Sequence, residues 1–116
     1  MITNHKQAVA AREKEAKAVL SAMKERHPGA FPTPPRPLKV GVREDLIAAG
    51  WTDAEVSTAL SYYLRTRAYL QCTYAEGQFR VGLDGMPVAP VQDRDREWAR
   101  RQVQLGEYHG SWNTRW

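Results

Sequence analysis

The first quarter of the chain carries apolar side chains at helical spacing. From residue 4 to about residue 26 they recur three, four and seven positions apart, with lysine, arginine and glutamate between them. The apolar positions are Val9, Ala16, Val19, Leu20 and Met23. This pattern predicts an amphipathic helix with a solvated charged face. Pro28 ends the helix, because a proline pushes the preceding residue out of the helical conformation.

The segment from residue 28 to residue 37 contains five prolines, which predicts a stiff, extended connector. Phe31 lies within it and is expected to anchor it to the core. Beyond the connector, apolar residues alternate with polar or small ones, at Leu38, Val40 and Val42. A period of two predicts a short extended segment with these three side chains inward, so Lys39 points outward. A helical turn over residues 45–49 follows, and Gly50 ends it at a position that glycine favours.

The clearest helix signal is a capping box, in which Thr52 precedes a helix and Glu55 follows three residues later. The apolar positions after it have the spacing of one helix face: Val56, Ala59, Leu60, Tyr63 and Leu64. A second face carries polar residues four positions apart, namely Ser57, Ser61 and Arg65. Arg67 and Tyr69 come where this helix is expected to end.

A hairpin signal follows in the last third of the chain. Apolar residues alternate with polar or small ones at Phe79, Val81 and Leu83. This alternation predicts a half-buried strand that places Arg80 on its open face. Asp84 and Gly85 form a typical hairpin turn. Pro87 then restricts the returning strand to a short or edge strand, because proline cannot donate a backbone hydrogen bond.

A final helix is expected over residues 93–105. Its predicted packing residues are Trp98, Ala99, Val103 and Leu105. Together these elements predict an α+β fold: a mostly helical, compact domain with one small β-hairpin. We expect an N-terminal amphipathic helix over residues 1–27, a domain core over 28–105 and a C-terminal tail over 106–116, which contains Trp112 and Trp116.

Composition places this 116-residue chain among single globular domains, with 42% hydrophobic residues. Cys72 is its one cysteine, so no intrachain disulfide forms and no CxxC metal framework exists. No apolar run approaches the roughly 20 residues needed to span a bilayer. Charges occupy the N-terminal stretch where a signal peptide requires apolar residues. We therefore expect a cytoplasmic protein that neither enters a membrane nor is exported.

This chain is basic, and it lacks the common catalytic motifs. The net charge is +4 and the isoelectric point is about 9.5, which permits a nucleic-acid partner. The chain has no glycine-rich phosphate loop, no HExxH and no GxSxG motif. Its histidines, His5, His27 and His109, lie far apart in the sequence. Several acidic residues fall in first turns of predicted helices, namely Glu44, Asp45, Asp53 and Glu55. We expect no enzyme activity, metal or cofactor.

Cations beside aromatic residues are the remaining chemical signal. The cations are Lys39, Arg65, Arg67 and Arg80 in the centre of the chain, with Arg100 and Arg101 in the last helix, and the aromatic residue beside them is Tyr69. An exposed ring on which bases stack, next to cations that neutralise phosphate, suits single-stranded nucleic acid. Two alternatives remain open on this evidence alone. The charges belong to an ordinary solvated surface, or Tyr69 is a core residue with its hydroxyl at the surface.

Four segments, in the order RPLKVGVREDL, TDAEVSTALSYYLRTRAYL, FRVGLDGMP and VQDRDREWARRQV, resemble the ProQ/FinO family of bacterial RNA chaperones. Each motif is weak alone, but their order and spacing from about Phe31 to Val103 are specific. The resemblance implies a concave basic face that binds structured RNA, above all a terminator hairpin followed by a single-stranded 3′ uridine tail. A pocket between helix and hairpin would hold the end of the tail. Binding would stabilise small RNAs and promote their pairing with target messages, by a monomer without a small-molecule substrate.

The resemblance also implies residue roles. By the resemblance, the RNA-binding residues would be Lys39, Tyr69, Leu70, Arg80, Arg100 and Arg101. Arg65 and Arg67 join them from the pattern of cations and aromatic residues, and Arg43 joins them from its place near Lys39, without a counterpart in the family. The pocket would be supported by Gly41, Asp45, Asp84 and Gly85, with Gly41 leaving room for close backbone approach. Two of these roles have competing interpretations. Turn chemistry alone favours Asp84 before a glycine, and Asp45 equally caps or braces its helix.

The chain departs from the family pattern on its capped helix. Asp53, Ser57 and Ser61 stand where many relatives carry basic residues, which should weaken the grip on an RNA stem and its salt dependence. We therefore expect a minimal, single-domain member whose basic first helix contributes to RNA contact. Two other functions remain possible: a small DNA-binding regulator, or a protein-interaction adaptor that has lost RNA binding. Major-groove readers normally present Arg, Lys, Asn or Gln, so the acidic and serine-rich helix face disfavours the DNA regulator.

Overall fold

The structure is a computed structural model that describes residues 5–109, with side chains from residue 7 onward. This part of the chain forms five helices and one two-stranded antiparallel sheet. The helices are α1 (His5–Arg26), α2 (Val42–Ala48), α3 (Asp53–Tyr63), α4 (Arg67–Tyr74) and α5 (Asp93–Leu105), and the strands are β1 (Phe79–Val81) and β2 (Pro87–Pro90). The predicted α+β class, mostly helical with one hairpin, is confirmed. Trp112 and Trp116 lie outside the described residues.

The core forms where α1 packs against α3. The predicted stripe of α1 supplies buried Ala16, Leu20 and Met23, and α3 supplies a buried face in return. The members from α3 are Val56, Ala59, Leu60 and Tyr63, all as predicted from their spacing. Phe31 anchors the proline-rich connector, since its buried ring meets the ring of Tyr63 edge-on at 5.2 Å between centroids.

Local signals in the sequence fix the boundaries of α2 and α3. The capping box is present: the Thr52 hydroxyl accepts from the Glu55 backbone N–H, and the Glu55 carboxylate accepts from the Thr52 backbone N–H. Gly50 follows α2 with a φ of 110°, a left-handed conformation in which glycine is favoured. These local interactions explain why both helices were recognisable from sequence.

The short extended segment predicted over residues 38–42 is wrong beyond Leu38. Only Leu38 forms a bridge, to Val81, and Val40 is 77% exposed rather than inward. The reason lies in Gly41, whose φ of 95° turns the chain directly into α2. Val42 is buried as the first residue of that helix and not as part of a strand.

Helix α4 was not predicted. The sequence suggested that the preceding helix ends near Arg67 and Tyr69, but a new helix begins there and runs to Tyr74. Thr66 caps it by accepting a hydrogen bond from the Tyr69 backbone N–H. Helix α4 packs against α5, and its Tyr69 is buried in the core beside Tyr63 of α3.

The hairpin forms with the expected turn and a short, exposed return strand. Phe79 pairs with Pro90 and Val81 pairs with Pro87, with an irregularity between them. Val81 is fully buried, but Phe79 is exposed, against prediction. Residues 37–39 pair with β1 only at Val81, through backbone hydrogen bonds of Val81 with Pro37 and Lys39. Phe79 lies two residues before Val81, outside the part of β1 that these residues contact.

Helix α5 has the predicted bounds but buries fewer side chains than expected. Ala99 is buried and Val103, four residues on, is half-buried. Trp98 and Leu105 are exposed, so their predicted packing is wrong. The helix meets its neighbours along one narrow line, and residues next to that line in sequence point about 100° away from it. No helix among residues 5–109 has the length and apolar character required to cross a bilayer.

Candidate nucleic-acid interface

The backbone of residues 37–39 is held from two sides. The Tyr69 hydroxyl accepts from the Leu38 backbone N–H at 2.8 Å, and the Arg80 guanidinium donates to the Leu38 carbonyl oxygen at 2.9 Å. Val81 adds backbone hydrogen bonds to Pro37 and Lys39, both at 2.8 Å. We call this arrangement the PLK brace: residues 37–39 with Tyr69, Arg80 and Val81. It fixes the point from which the Lys39 side chain leaves the backbone.

Tyr69 does not offer an exposed ring. Its side chain is only 6% exposed, and its ring lies 5.2 Å from that of Tyr63, so the predicted outward position is wrong. Burial raises the pKa of the Tyr69 hydroxyl, and the hydrogen bond from Leu38 opposes that rise. The alternative of a core tyrosine with a surface hydroxyl is only half correct, because the hydroxyl is inside too. Leu70 is also buried, which leaves both side chains as supports.

Arg80 was expected on the open face of the hairpin, but its side chain is only 14% exposed. Besides the Leu38 carbonyl it donates to the Asp95 carboxylate at 3.0 Å. A half-buried, hydrogen-bonded ion pair of this kind orders both partners. Asp95 was not singled out from sequence. The one available signal is its spacing, since Asp95 precedes buried Ala99 by four residues on α5.

Lys39 points outward as predicted and is paired. Its ammonium lies 2.7 Å from the Asp45 carboxylate, and each side chain is a little over one third exposed. Asp45 therefore braces Lys39 from the first turn of α2. Gly41, between them, has a φ of 95° that favours glycine, and the protein atom nearest to an added Cβ would be a Glu44 carboxylate oxygen at 3.7 Å.

The other predicted cations are dispersed. Arg43 pairs with Asp53, and Arg100 pairs with Glu97. Arg65 and Arg101 are exposed, whereas Arg67 is half-buried with its guanidinium 5.7 Å from the Tyr108 ring centroid and its Nε buried without a partner. No hydrogen bond or ion pair between described residues joins these arginines to the PLK brace. Of the predicted RNA-binding cations and aromatic residues, the structure thus joins Lys39, Tyr69 and Arg80 through the PLK brace.

The hairpin turn is braced against the connector. The Asp84 carboxylate accepts from the Met86 backbone N–H at 2.9 Å, the chemistry expected of an aspartate in a turn. Gly85 has a φ of 82°, and a Cβ there would lie 2.9 Å from the Gly29 carbonyl oxygen. Only glycine fits this contact, which ties the hairpin to the start of the connector.

Two serines of the polar face of α3 line a groove whose lining does not include Lys39. Ser57 and Ser61 line an open groove of about 480 Å³, opposite Arg12 and Glu13 of α1. His109 borders the same groove, stacked on Tyr62 with a centroid distance of 5.3 Å. Sequence reasoning did not anticipate that residues after α5 return to this position. His109 pairs there with the backbone of residues 65 and 67.

The cysteine and the histidine that sequence chemistry would consider for catalysis, Cys72 and His27, are both held by the surrounding structure. Cys72 is a free thiol whose pKa burial raises to about 12, which makes it a poor nucleophile. The His27 Nε2 accepts from the Trp51 indole N–H at 2.9 Å. Burial, and then the Arg26 charge, lower the pKa of His27. Among the residues described, no group of three or more His, Cys, Asp or Glu is placed to hold a metal ion.

Comparisons with known proteins agree on one family. Residues 13–109 match the model of the ProQ/FINO family. Over 96 residues the chain is 30% identical to the RNA chaperone ProQ of Pseudoalteromonas atlantica, covering 77% of this chain and 44% of that protein. The chain therefore spans less than half the length of this relative.

Two solved structures share the fold. A ProQ homolog from Legionella pneumophila superposes with a TM-score of 0.62 at 29% identity, covering 77% of this chain and 82% of that one. A FinO-like RNA chaperone from Neisseria meningitidis gives a TM-score of 0.61 at 22% identity, covering 76% and 93%. The family match extends from α1 to His109 and includes the PLK brace, α3, α4, the hairpin and α5. The chain belongs to the ProQ/FINO family.

Proposed function

We propose that this chain binds structured RNA and acts as an RNA chaperone without catalysis. The observation that carries this proposal is the PLK brace, which presents Lys39 from a backbone held by two other elements of the fold, α4 and β1. A cation on an immobilised backbone is already ordered before a phosphate arrives, so little conformational entropy is lost on binding. The named relatives support the choice of RNA as ligand, since they are described as RNA chaperones.

The RNA we propose is a terminator hairpin with a single-stranded 3′ uridine tail. The deep major groove of an A-form stem hides its bases, so recognition relies on shape, phosphates and 2′-hydroxyls. Lys39 would contact phosphate near the end of the tail, beside α2 and the hairpin. Tyr69, Leu70 and Arg80 would act by positioning this segment. The exposed arginines, Arg65 and Arg101, would contact the stem, together with Arg43, Arg67 and Arg100 where their partners release them.

The proposed binding would affect both the lifetime and the pairing of the bound RNAs. A monomer bound to the end of such RNAs would protect them from degradation and promote their pairing with messages. It would act in the cytoplasm, where these RNAs are made and used.

A protein-interaction adaptor is the second candidate. It is favoured by the pairing of Lys39, Arg43, Arg80 and Arg100 with carboxylates. Each pair reduces the positive potential that non-specific RNA binding requires. The two functions differ in one respect, which is whether RNA binds with an affinity that depends on its 3′ end.

Mobility shifts with four ligands test the proposal. They are the hairpin with its tail, the hairpin without it, the tailed hairpin with a 3′ phosphate, and a DNA version. We expect the tailed RNA with a 3′ hydroxyl to bind more tightly than each of the others. Equal affinity for all four ligands would contradict the proposal that a pocket holds the 3′ end of the tail. No binding at all would favour the adaptor.

Lys39→Gln tests the residue that carries the proposal. We expect weaker binding of the tailed hairpin and an unchanged thermal transition, because the side chain is partly exposed and its pairing with Asp45 is a surface interaction. Lys14→Gln is the control, since Lys14 is an exposed cation on α1. Equal binding by the two variants would remove Lys39 from the interface.

A further inference from the structure

A second basic surface lies beside the proline-rich connector. It is a groove of about 470 Å³ between α1 and the connector, with walls formed by Lys17, Ser21 and Lys24 on one side and Pro32, Thr33 and Pro35 on the other. We call it the connector groove. Its volume falls in the range of typical ligand sites. None of the residues that line it carries a carboxylate, unlike the neighbouring groove, which includes Glu13 and Glu15.

The lysines of this groove are held over aromatic rings. The Lys17 ammonium lies 5.8 Å from the Tyr62 ring centroid, and the Lys24 ammonium lies 5.9 Å from that of Tyr63. Both rings also line the groove. A cation over a ring face is attracted by the ring quadrupole while keeping its charge, so these two charges stay directed along the groove.

The spacing of the charges suits a polymer better than a single ion. Lys17 and Lys24 are seven residues apart on one helix, which separates them by about 10.5 Å along its axis. Two cations held over different rings at that spacing suit consecutive phosphates of a chain. Ser21 and Thr33 add hydroxyls on opposite walls, where a ribose 2′-hydroxyl finds partners.

The groove is also close to the PLK brace. Three residues of connector separate Pro35, in the groove wall, from Lys39, so the four steps along the chain place their Cα atoms at most about 14 Å apart. A strand in the groove and an RNA end at the brace would therefore lie within reach of each other on one rigid domain.

We propose that the connector groove binds a short single-stranded stretch of a second RNA while the first RNA is held at the PLK brace. The inference rests on the proposed function and deepens it, since pairing two RNAs is faster when one protein holds both. Holding the strands together raises their effective concentration without any new contact between them.

The test uses protein already saturated with unlabelled tailed hairpin. An unstructured RNA of about 12 nucleotides, within the usual site sizes for single strands, carries a fluorophore and lacks a 3′ uridine run. We expect its anisotropy to rise on the saturated protein. Lys17→Gln/Lys24→Gln should weaken this binding about tenfold at low salt and lower the salt slope by about 1.4, because each single-strand phosphate contact contributes about 0.7.

Lys24→Gln and Lys14→Gln form the matched pair, with the same change of charge on the same helix. Only Lys24→Gln should weaken the single strand and slow annealing of the two RNAs. Equal effects of the two variants, or no binding of the single strand to saturated protein, would contradict the proposal that the connector groove binds a second RNA. Hairpin binding is measured on the same samples, so a failure of the proposed function is seen separately.

Discussion

The Tyr69 hydroxyl is one of the groups that hold the backbone from which Lys39 projects. Tyr69→Phe removes the acceptor and leaves the buried Leu38 N–H unpaired. We expect the free energy of unfolding to fall by about 1–3 kcal/mol, the usual cost of an unsatisfied buried group. Urea unfolding measures this cost, and mobility shifts should show weaker binding of the tailed hairpin.

Tyr74→Phe on the same helix is the control for Tyr69→Phe. Tyr74 is half-buried, so its substitution should change both stability and binding less. If Tyr69→Phe loses RNA binding while retaining full stability, the hydroxyl contacts RNA directly and its role in the brace is wrong.

His27 makes stability depend on pH. Its Nε2 accepts from Trp51, which requires the neutral ring, and burial together with Arg26 lowers the pKa of His27 below its ordinary value of 6.5. As pH falls below 6.5, the unfolded chain takes up a proton that the folded chain resists. The free energy of unfolding therefore decreases as the pH falls from 6.5, and it levels off once the pH is below the lowered pKa of the folded state.

Unfolding in urea at about pH 7.5 and about pH 5 measures this dependence. His27→Gln keeps an acceptor for the Trp51 indole but cannot titrate, so its loss of stability between the two pH values should be smaller. His109→Gln serves as the control and should retain the contribution of His27. An identical loss in His27→Gln and the unmodified protein would contradict this assignment.

At the scale of elements, the capping box of α3 is the most easily tested. Thr52→Ala removes the hydroxyl that satisfies the Glu55 N–H, and we expect a loss of about 1 kcal/mol. Thr58→Ala in the middle of the same helix should be neutral or stabilising, because alanine is the better helix former there. Thermal unfolding of the two variants distinguishes a cap from a general effect of threonine.

Elements with local signals could be predicted, and those that depend on distant contacts could not. The capping box and the Asp84–Gly85 turn are complete within a few residues, so their positions were correct. Tyr69 and Arg80 were placed outward because their partners, Leu38 and Asp95, are remote in sequence. Periodicity gives the face of an element, but it does not say how far the neighbouring element covers that face.

The candidate site follows the same rule. The prediction that Lys39 points outward was correct, since it required only the first step of the alternation. Helix α4 was missed because its cap, Thr66, follows the preceding helix so closely that the two appear continuous in sequence. The return of His109 to α3 has no sequence signal, because it depends on backbone hydrogen bonds to residues 65 and 67.

At the scale of the whole molecule, we expect ion pairs to limit the attraction of RNA that the proposed function requires. Asp53→Asn releases Arg43 and removes a negative charge. We expect tighter RNA binding and a salt slope steeper by about 0.7–0.9 where Arg43 gains a phosphate contact. Because Asp53 lies in the first turn of α3, stability should fall by roughly 0.5 kcal/mol.

Titrations of RNA at several salt concentrations measure both the affinity and the slope. Glu76→Gln is the matched control, since it removes one exposed carboxylate after α4. Equal gains in the two variants would show that net charge alone matters, and that the pairing of Arg43 does not restrain binding.

The hairpin has a consequence for association between copies. One side of β1 pairs with β2 and the other meets residues 37–39, which leaves β2 as the outer edge of the sheet. Two of its four residues, Pro87 and Pro90, have no backbone N–H to offer another chain. Strand-by-strand pairing of copies through this edge is therefore disfavoured. Copies that the proposed function would crowd onto one RNA would thus be protected from pairing into fibrils through their exposed sheet edges.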